Sequence, residues 1–180
     1  RLLRRWKPPV PVVYNTGGYE RVETLRLLEG KVQVYLPDLK YADGTLAASL
    51  SGAADYFPVA CQAIREMFRQ VGPYVLEDGL LKRGVVIRHL VLPGCIDNSL
   101  GVLDWIADSF PKKDVLVSLM SQYVPMGRAK KLPPFDRRIT QDEYDAVLSY
   151  LYLLELDNGY TQDFSAASAD YIPDFDLEGL

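Results

Sequence analysis

The chain has 180 residues, 48% of them hydrophobic and 24% charged, with a net charge of −4, the profile of an ordinary globular protein. The basic residues are dispersed and not interleaved with aromatics, which argues against a nucleic-acid platform, and no apolar run approaches the ~18 residues of a membrane span. Cys61 and Cys95 are too few and too far apart for a disulfide framework or a cysteine metal site, and with no secretory leader pattern a cytoplasmic setting is expected.

The opening Arg1-Leu2-Leu3-Arg4-Arg5-Trp6 reads like the last turn of a helix, so a domain cut from a longer polypeptide is expected. Beyond it, apolar runs alternate with helical periodicity, the pattern of an α/β fold with parallel strands. A first strand is expected over Val10–Tyr14, then a helix over Glu20–Leu28 and a second strand over Val32–Leu36. A short helix over Gly44–Leu50 and a longer one over Tyr56–Gln70 follow. The longer one carries an apolar stripe of Ala60, Ala63, Ile64, Met67, Phe68 and Val71.

Asp78-Gly79 marks a hairpin between Tyr74–Leu76 and Leu80–Lys82, leading into a third parallel strand over Val85–Leu92. Asp97 to Ser99 offer caps for a helix through Phe110, and Val115–Met120 is the fourth strand. Thr140-Gln141-Asp142-Glu143 is a capping box that opens a helix with Tyr144, Val147, Leu148, Leu151 and Leu154 on its core side. From Asn158 onward, Gly, Ser and Pro predict packed irregular coil. About four parallel strands with flanking helices do not close a barrel, which takes about eight. The fold class is therefore α/β, either an open sheet or an incomplete (β/α) TIM-type barrel fragment, and the missing start favours the fragment.

Polar residues recur at the C-terminal ends of the expected strands, the rim where parallel α/β folds place their sites. Val32, Val34, Leu36, Asp38 and Lys40 share one parity, so three core residues are followed by an acid and a base aimed the same way. That pair could hold a zwitterionic ligand or serve only as a rim salt bridge. Gly17 and Gly18 allow close backbone approach or simply a tight turn. Arg88 lies among Val86, Leu90 and Leu92 and needs an anion there, from a ligand or an internal Asp or Glu. His89, the single histidine, has the opposite parity and reads as a packing residue. No triad, phosphate-binding glycine loop or histidine metal cluster is present.

In order, VVYNTGGYE (12–20), YLPDLKYAD (35–43), VVIRHLVLPG (85–94) and SLMSQYVP (118–125) resemble the radical S-adenosylmethionine enzymes related to the pyruvate formate-lyase activating enzyme. The tail pattern at Tyr171–Leu177 extends this resemblance over essentially all 180 residues. It implies the C-terminal part of a partial β/α barrel, with the cluster-binding strands upstream. It also implies S-adenosylmethionine and a 4Fe–4S cluster as cofactors of the intact enzyme. There a 5′-deoxyadenosyl radical abstracts hydrogen from a target such as a glycyl radical enzyme.

The resemblance implies Asn15, Thr16, Asp38, Lys40, Arg88, Met120 and Tyr123 as cofactor-binding residues. Lys40 and Arg88 would meet a carboxylate, while Asp38, Thr16 and the Met120 carbonyl would hold a cation or water. Asn15 stands where the best-known member has an aspartate, and Tyr123 where it has a histidine. The C-x-x-x-C-x-x-C cluster loop is missing, so no residue of this chain is assigned a catalytic or metal-binding role and the chain alone is expected to be inactive. The alternatives are a non-catalytic α/β domain binding a small anion or a protein and, last, an aldolase-type fragment with Lys40 as Schiff-base amine.

Overall fold

Five strands run parallel in the order in which the chain makes them, and a short antiparallel arm pairs with the third of these. The computed structural model describes residues 10–162. The strands are β1 (Val13–Thr16), β2 (Val34–Pro37), β3 (Val75–Glu77), β4 (Leu80–Leu90), β5 (Leu116–Met120) and β6 (Tyr160–Thr161). The order is β1-β2-β4-β5-β6, with β3 antiparallel to β4. The helices are α1 (Val22–Arg26), α2 (Gly44–Ser51), α3 (Tyr56–Val71), α4 (Ile96–Ser109) and α5 (Gln141–Leu153). Among the described residues no helix is long and apolar enough to cross a membrane.

Parallel crossovers are right-handed, so a sheet built without reversing direction receives every helix on one face. The burial pattern follows that rule. Tyr35 and Leu39, Val85, Ile87 and Val91, and Val115, Val117 and Leu119 share one parity and join the helices in a single core. The other parity carries Val13 and Asn15, Val34 and Leu36, Val86, Arg88 and Leu90, and Leu116, Ser118 and Met120 in register. Val34, Val86 and Leu116 are buried at the base of this face. Toward the C-terminal ends Leu36, Arg88, Leu90, Ser118 and Met120 are half-buried, and Asn15 is exposed.

The expected parity of Val34, Leu36 and Asp38 holds, but these residues line the face opposite the described helices. The main core takes Tyr35 and Leu39 instead, together with Val32 ahead of the strand. The hairpin arm and third parallel strand, expected as separate elements, form the single strand β4. Gly84 sits within it at φ 136°, and a Cβ there would lie 2.5 Å from the Tyr74 Cβ, so only glycine lets the arm cross. Asn158 to Gln162 are not all coil, since Tyr160–Thr161 adds a strand beside β5. The Arg1–Trp6 turn and the Tyr171–Leu177 pattern lie outside the described residues.

Two polar ties fix the helices. The Thr140 hydroxyl accepts the Glu143 N–H and the Glu143 carboxylate accepts the Thr140 N–H, completing the capping box. Arg137 and the Gly94 N–H also bond Glu143, joining the β4–α4 loop to α5. Across the molecule, Gln70 donates to the Leu25 carbonyl and accepts from the Tyr35 hydroxyl at 2.6 Å. The buried Glu66 beside it is bonded by Arg69, which holds its carboxyl down to about 2.

His89 is fully buried. Its Nδ1 donates to the Leu39 carbonyl at 2.7 Å, which leaves Nε2 to accept the Ser99 hydroxyl at 2.9 Å. Burial pushes the imidazole down to about 4. An unfolded chain takes up that proton near pH 6.5, so between the two values the unfolded state binds more protons and stability falls as pH falls. The urea midpoint should therefore drop between pH 7 and 5.5, the unfolding free energy falling with a limiting slope of about 1.4 kcal/mol per pH unit. His89→Gln should flatten the dependence in this window. A wild-type midpoint independent of pH there would contradict the assignment.

Candidate functional site

Asp38 follows β2 at the C-terminal rim, and a single parallel bridge sets it opposite Arg88. Arg88 donates Nε to Asp38 Oδ1 at 2.8 Å, and its Nη2 reaches the same oxygen at 2.5 Å. Lys40 stands 3.5 Å from the other oxygen, Oδ2. The internal carboxylate is thus the anion that Arg88 needs on this face. Asp38, Lys40, Arg88, Leu90, Met120 and Gln122 line a hollow of about 270 Å³. It has two cations, one carboxylate, an amide and two apolar walls, a donor set suited to a small molecule carrying both charge signs.

The segment after β2 has little backbone pairing of its own, and side chains from three elements hold it. Tyr56, the first residue of α3, points its buried hydroxyl at the carbonyls of Gly17 and Asp38, each at 2.9 Å, and accepts the Lys40 N–H at 3.1 Å. Burial drives the Tyr56 hydroxyl pKa well above the ordinary phenol value, so it remains a donor. Tyr41 packs edge-on against its ring and Tyr19 stacks beside it. From α4, Asn98 accepts the N–H groups of Ala42 and Asp43 and donates to the Lys40 carbonyl at 3.1 Å. Gly18, at φ 80°, lies against the Asp38 carbonyl, where any Cβ would overlap that oxygen.

Four of the seven residues expected at the site meet in this hollow: Asp38, Lys40, Arg88 and Met120. The other three do not. Asn15 is exposed on the same face, opposite Leu36, but does not line the hollow. Thr16 has the opposite parity; its hydroxyl donates to Glu20 at 2.7 Å, and only its carbonyl serves the rim, accepting the Asp38 N–H at 2.9 Å. The Thr16 side chain therefore does not line the hollow. Tyr123 turns away, packs against the core and donates its hydroxyl to the Phe135 carbonyl at 2.8 Å. The Met120 carbonyl accepts the Val91 N–H at 3.0 Å, so the residue reaches the hollow by its side chain.

Sequence reasoning missed Leu90, Tyr56, Glu20 and Asn98. Leu90 was legible, since it shares its parity with Arg88. Asn98 and Ser99 were read as helix caps, but α4 starts at Ile96 without a side-chain cap and its first turn aims both inward. Two buried polar residues in a helix's first turn were the available signal. Tyr56 gave none, because a tyrosine at a helix start also reads as ordinary core.

No protein-family model matches the chain. Over 151 residues, 82% of its length, it is 31% identical to uncharacterized protein MJ0674 of Methanocaldococcus jannaschii. The matched region spans 40% of that relative's length.

Replacing Tyr56 by Phe keeps the ring and removes the one group serving three backbone atoms. Leaving a buried donor and acceptor unpaired costs about 1–3 kcal/mol. Tyr56→Phe should lower unfolding stability by that order and speed hydrogen exchange at the Lys40 amide. Unchanged exchange there would show that the hydroxyl does not hold the loop.

Proposed function

We propose that the hollow receives the amino-acid end of S-adenosylmethionine in a radical enzyme of the pyruvate formate-lyase activating type. The target in this reading is a protein such as a glycyl radical enzyme. The observation that carries it is the Asp38–Arg88–Lys40 group at the C-terminal rim of a sheet whose strand order never reverses. That order, with helices on one face and a half-exposed opposite face, supports the finer reading of the fold as part of a (β/α) barrel.

Within the hollow the two cations differ. Arg88 gives both Nε and Nη2 to Asp38, whereas Lys40 is 44% exposed and 3.5 Å from its partner oxygen. Lys40 is thus the cation free to turn to a ligand carboxylate, and Asp38 Oδ2 is the oxygen left for an ammonium. Arg88 acts by fixing Asp38. Leu90 and Met120 exclude water from the ligand's aliphatic part, and the Gln122 amide stands at the mouth.

The chain's own thiols do not fit a 4Fe–4S cluster. The sequence holds two cysteines. Cys61 is buried in α3 with its thiol pushed up to about 12 by burial, and Cys95 sits just before α4. In this reading hydrogen abstraction belongs to a longer polypeptide, and these residues bind and orient. The 180-residue chain incubated anaerobically with iron and sulfide should develop no stable cluster absorbance. A stoichiometric 4Fe–4S signal would overturn that assignment.

The test of the ligand assignment is S-adenosylmethionine titrated into the longer polypeptide. A charge-assisted contact of about 1.5–3 kcal/mol makes Lys40→Ala roughly tenfold to a hundredfold weaker. Equal affinities would remove Lys40 from the site and leave a rim salt bridge. An upstream sequence without a C-x-x-x-C-x-x-C loop would remove the radical reading. Retained binding of small carboxylates would then favour the non-catalytic anion-binding domain.

A further inference from the structure

Residues 124–138 leave the C-terminal end of β5 with Arg128, Lys130, Lys131, Arg137 and Arg138 against a single acid, Asp136, in a chain of net charge −4. Arg137 is committed to Glu143 at 2.7 Å. The single-turn helix Gly127–Lys131 presents Arg128, Lys130 and Lys131 to solvent, and among the described residues none of the three is ion-paired. Exposed apolar residues flank the turn on either side in the sequence. Met126 is 51% exposed and Leu132 39%, and with Leu50, Ala129, Ser49 and Arg128 they line a second hollow of about 260 Å³. An apolar slot lined by Arg128, with Lys130 and Lys131 exposed on the same turn, suits an apolar side chain flanked by carboxylates.

The chain's own sequence holds such a segment. Residues 163–180, outside the described residues, contain five acidic residues and no lysine or arginine. Asp174-Phe175-Asp176-Leu177-Glu178 alternates carboxylates with apolar side chains. Its point of departure is fixed, because β6 runs parallel to β5 and therefore ends at the same rim. Gln162 accepts the Ser121 N–H at 3.1 Å and donates to Gln122 at 3.4 Å. The basic segment begins two residues beyond Gln122. From Gln162 to Phe175, an extended chain reaches roughly 40 Å, enough to cover the rim.

We propose that residues 174–178 dock in cis on the groove between α2 and the Gly127–Lys131 turn. Phe175 fills the slot lined by Leu50, Met126 and Leu132, and the flanking carboxylates meet Arg128, Lys130 and Lys131. Exposed ion pairs are individually weak, but tethering makes the event intramolecular at a millimolar effective concentration. The electrostatic part should weaken with salt. This inference does not depend on what occupies the first hollow.

The test is zero-length carbodiimide coupling on the whole 180-residue chain at low protein concentration, with the linked residues mapped by mass spectrometry. The expected products are intramolecular amides joining Lys130 or Lys131 to Asp174, Asp176 or Glu178. Their yield should fall severalfold at about 0.5 M salt and in Phe175→Ala, a change outside the described core. Linkages spread equally over Lys31, Lys82, Lys112 and Lys113 would mean an unattached tail and overturn the proposal. Linkages only between two copies, or yields unchanged in Phe175→Ala, would overturn it as well.

Discussion

The six residues from Asp38 to Asp43 are the point on which the rim depends, because they leave β2 without a continuing ladder. Apart from the Asp38 N–H, which goes to the Thr16 carbonyl, and the Asp43 carbonyl, which accepts the Ala47 N–H of α2, the partners they find are side chains or an isolated bridge. Arg88 takes the Asp38 carboxylate, His89 the Leu39 carbonyl, and Asn98 the Lys40 carbonyl with two N–H groups beyond it. Tyr56 completes the set on the side of β1, and the Arg88 carbonyl accepts the Leu39 N–H. Buried backbone polar groups must be paired, so this loop keeps one geometry only while α3, α4 and β4 are all in place. The position of the site is therefore a property of the whole α/β unit rather than of one motif.

Adjacent residues of β4 divide the work. Arg88 faces the side opposite the described helices and fixes the acid that lines the hollow, while His89 faces the helices and fixes the backbone behind it. The alternation of a strand makes this possible at no cost in length. It also separates two electrostatic regimes. His89 is sealed and neutral, whereas Arg88 and Asp38 remain partly exposed and pair with each other.

Much of this was legible in the sequence because it rests on periodicity and local chemistry. The capping box at Thr140, the Asp78-Gly79 turn, the stripe of α3 and the shared parity of Asp38 with Leu36 are all statements about neighbours. What failed was non-local. Nothing in Thr16 says that Glu20 will claim its hydroxyl, nothing in Tyr123 says that Phe135 will claim its own, and both were placed in the site by their position at a strand end. Parity also leaves open which face is covered, because both faces of β2 carry apolar residues. Only the strand order, with its one-sided crossovers, decides that Tyr35 and not Val34 meets the helices.

That one-sidedness is also the strongest physical constraint on how the unit works. Parallel sheets are generally covered on both faces, since the crossovers that build them put apolar surface on each. Here Val34, Val86 and Leu116 are buried at the base of the face opposite the described helices, and toward the C-terminal ends Arg88, Ser118 and Asp38 stand among Leu36, Leu90 and Met120. Asp38 stands level with Arg88, and Leu90 and Met120 pair two residues further toward the C-terminal ends, so charged and apolar side chains line the same hollow. Along one face of β4 the chain thus passes within three positions from a buried valine, Val86, to the half-buried Arg88 that holds Asp38. That change is what places a charged pair beside apolar side chains in the hollow.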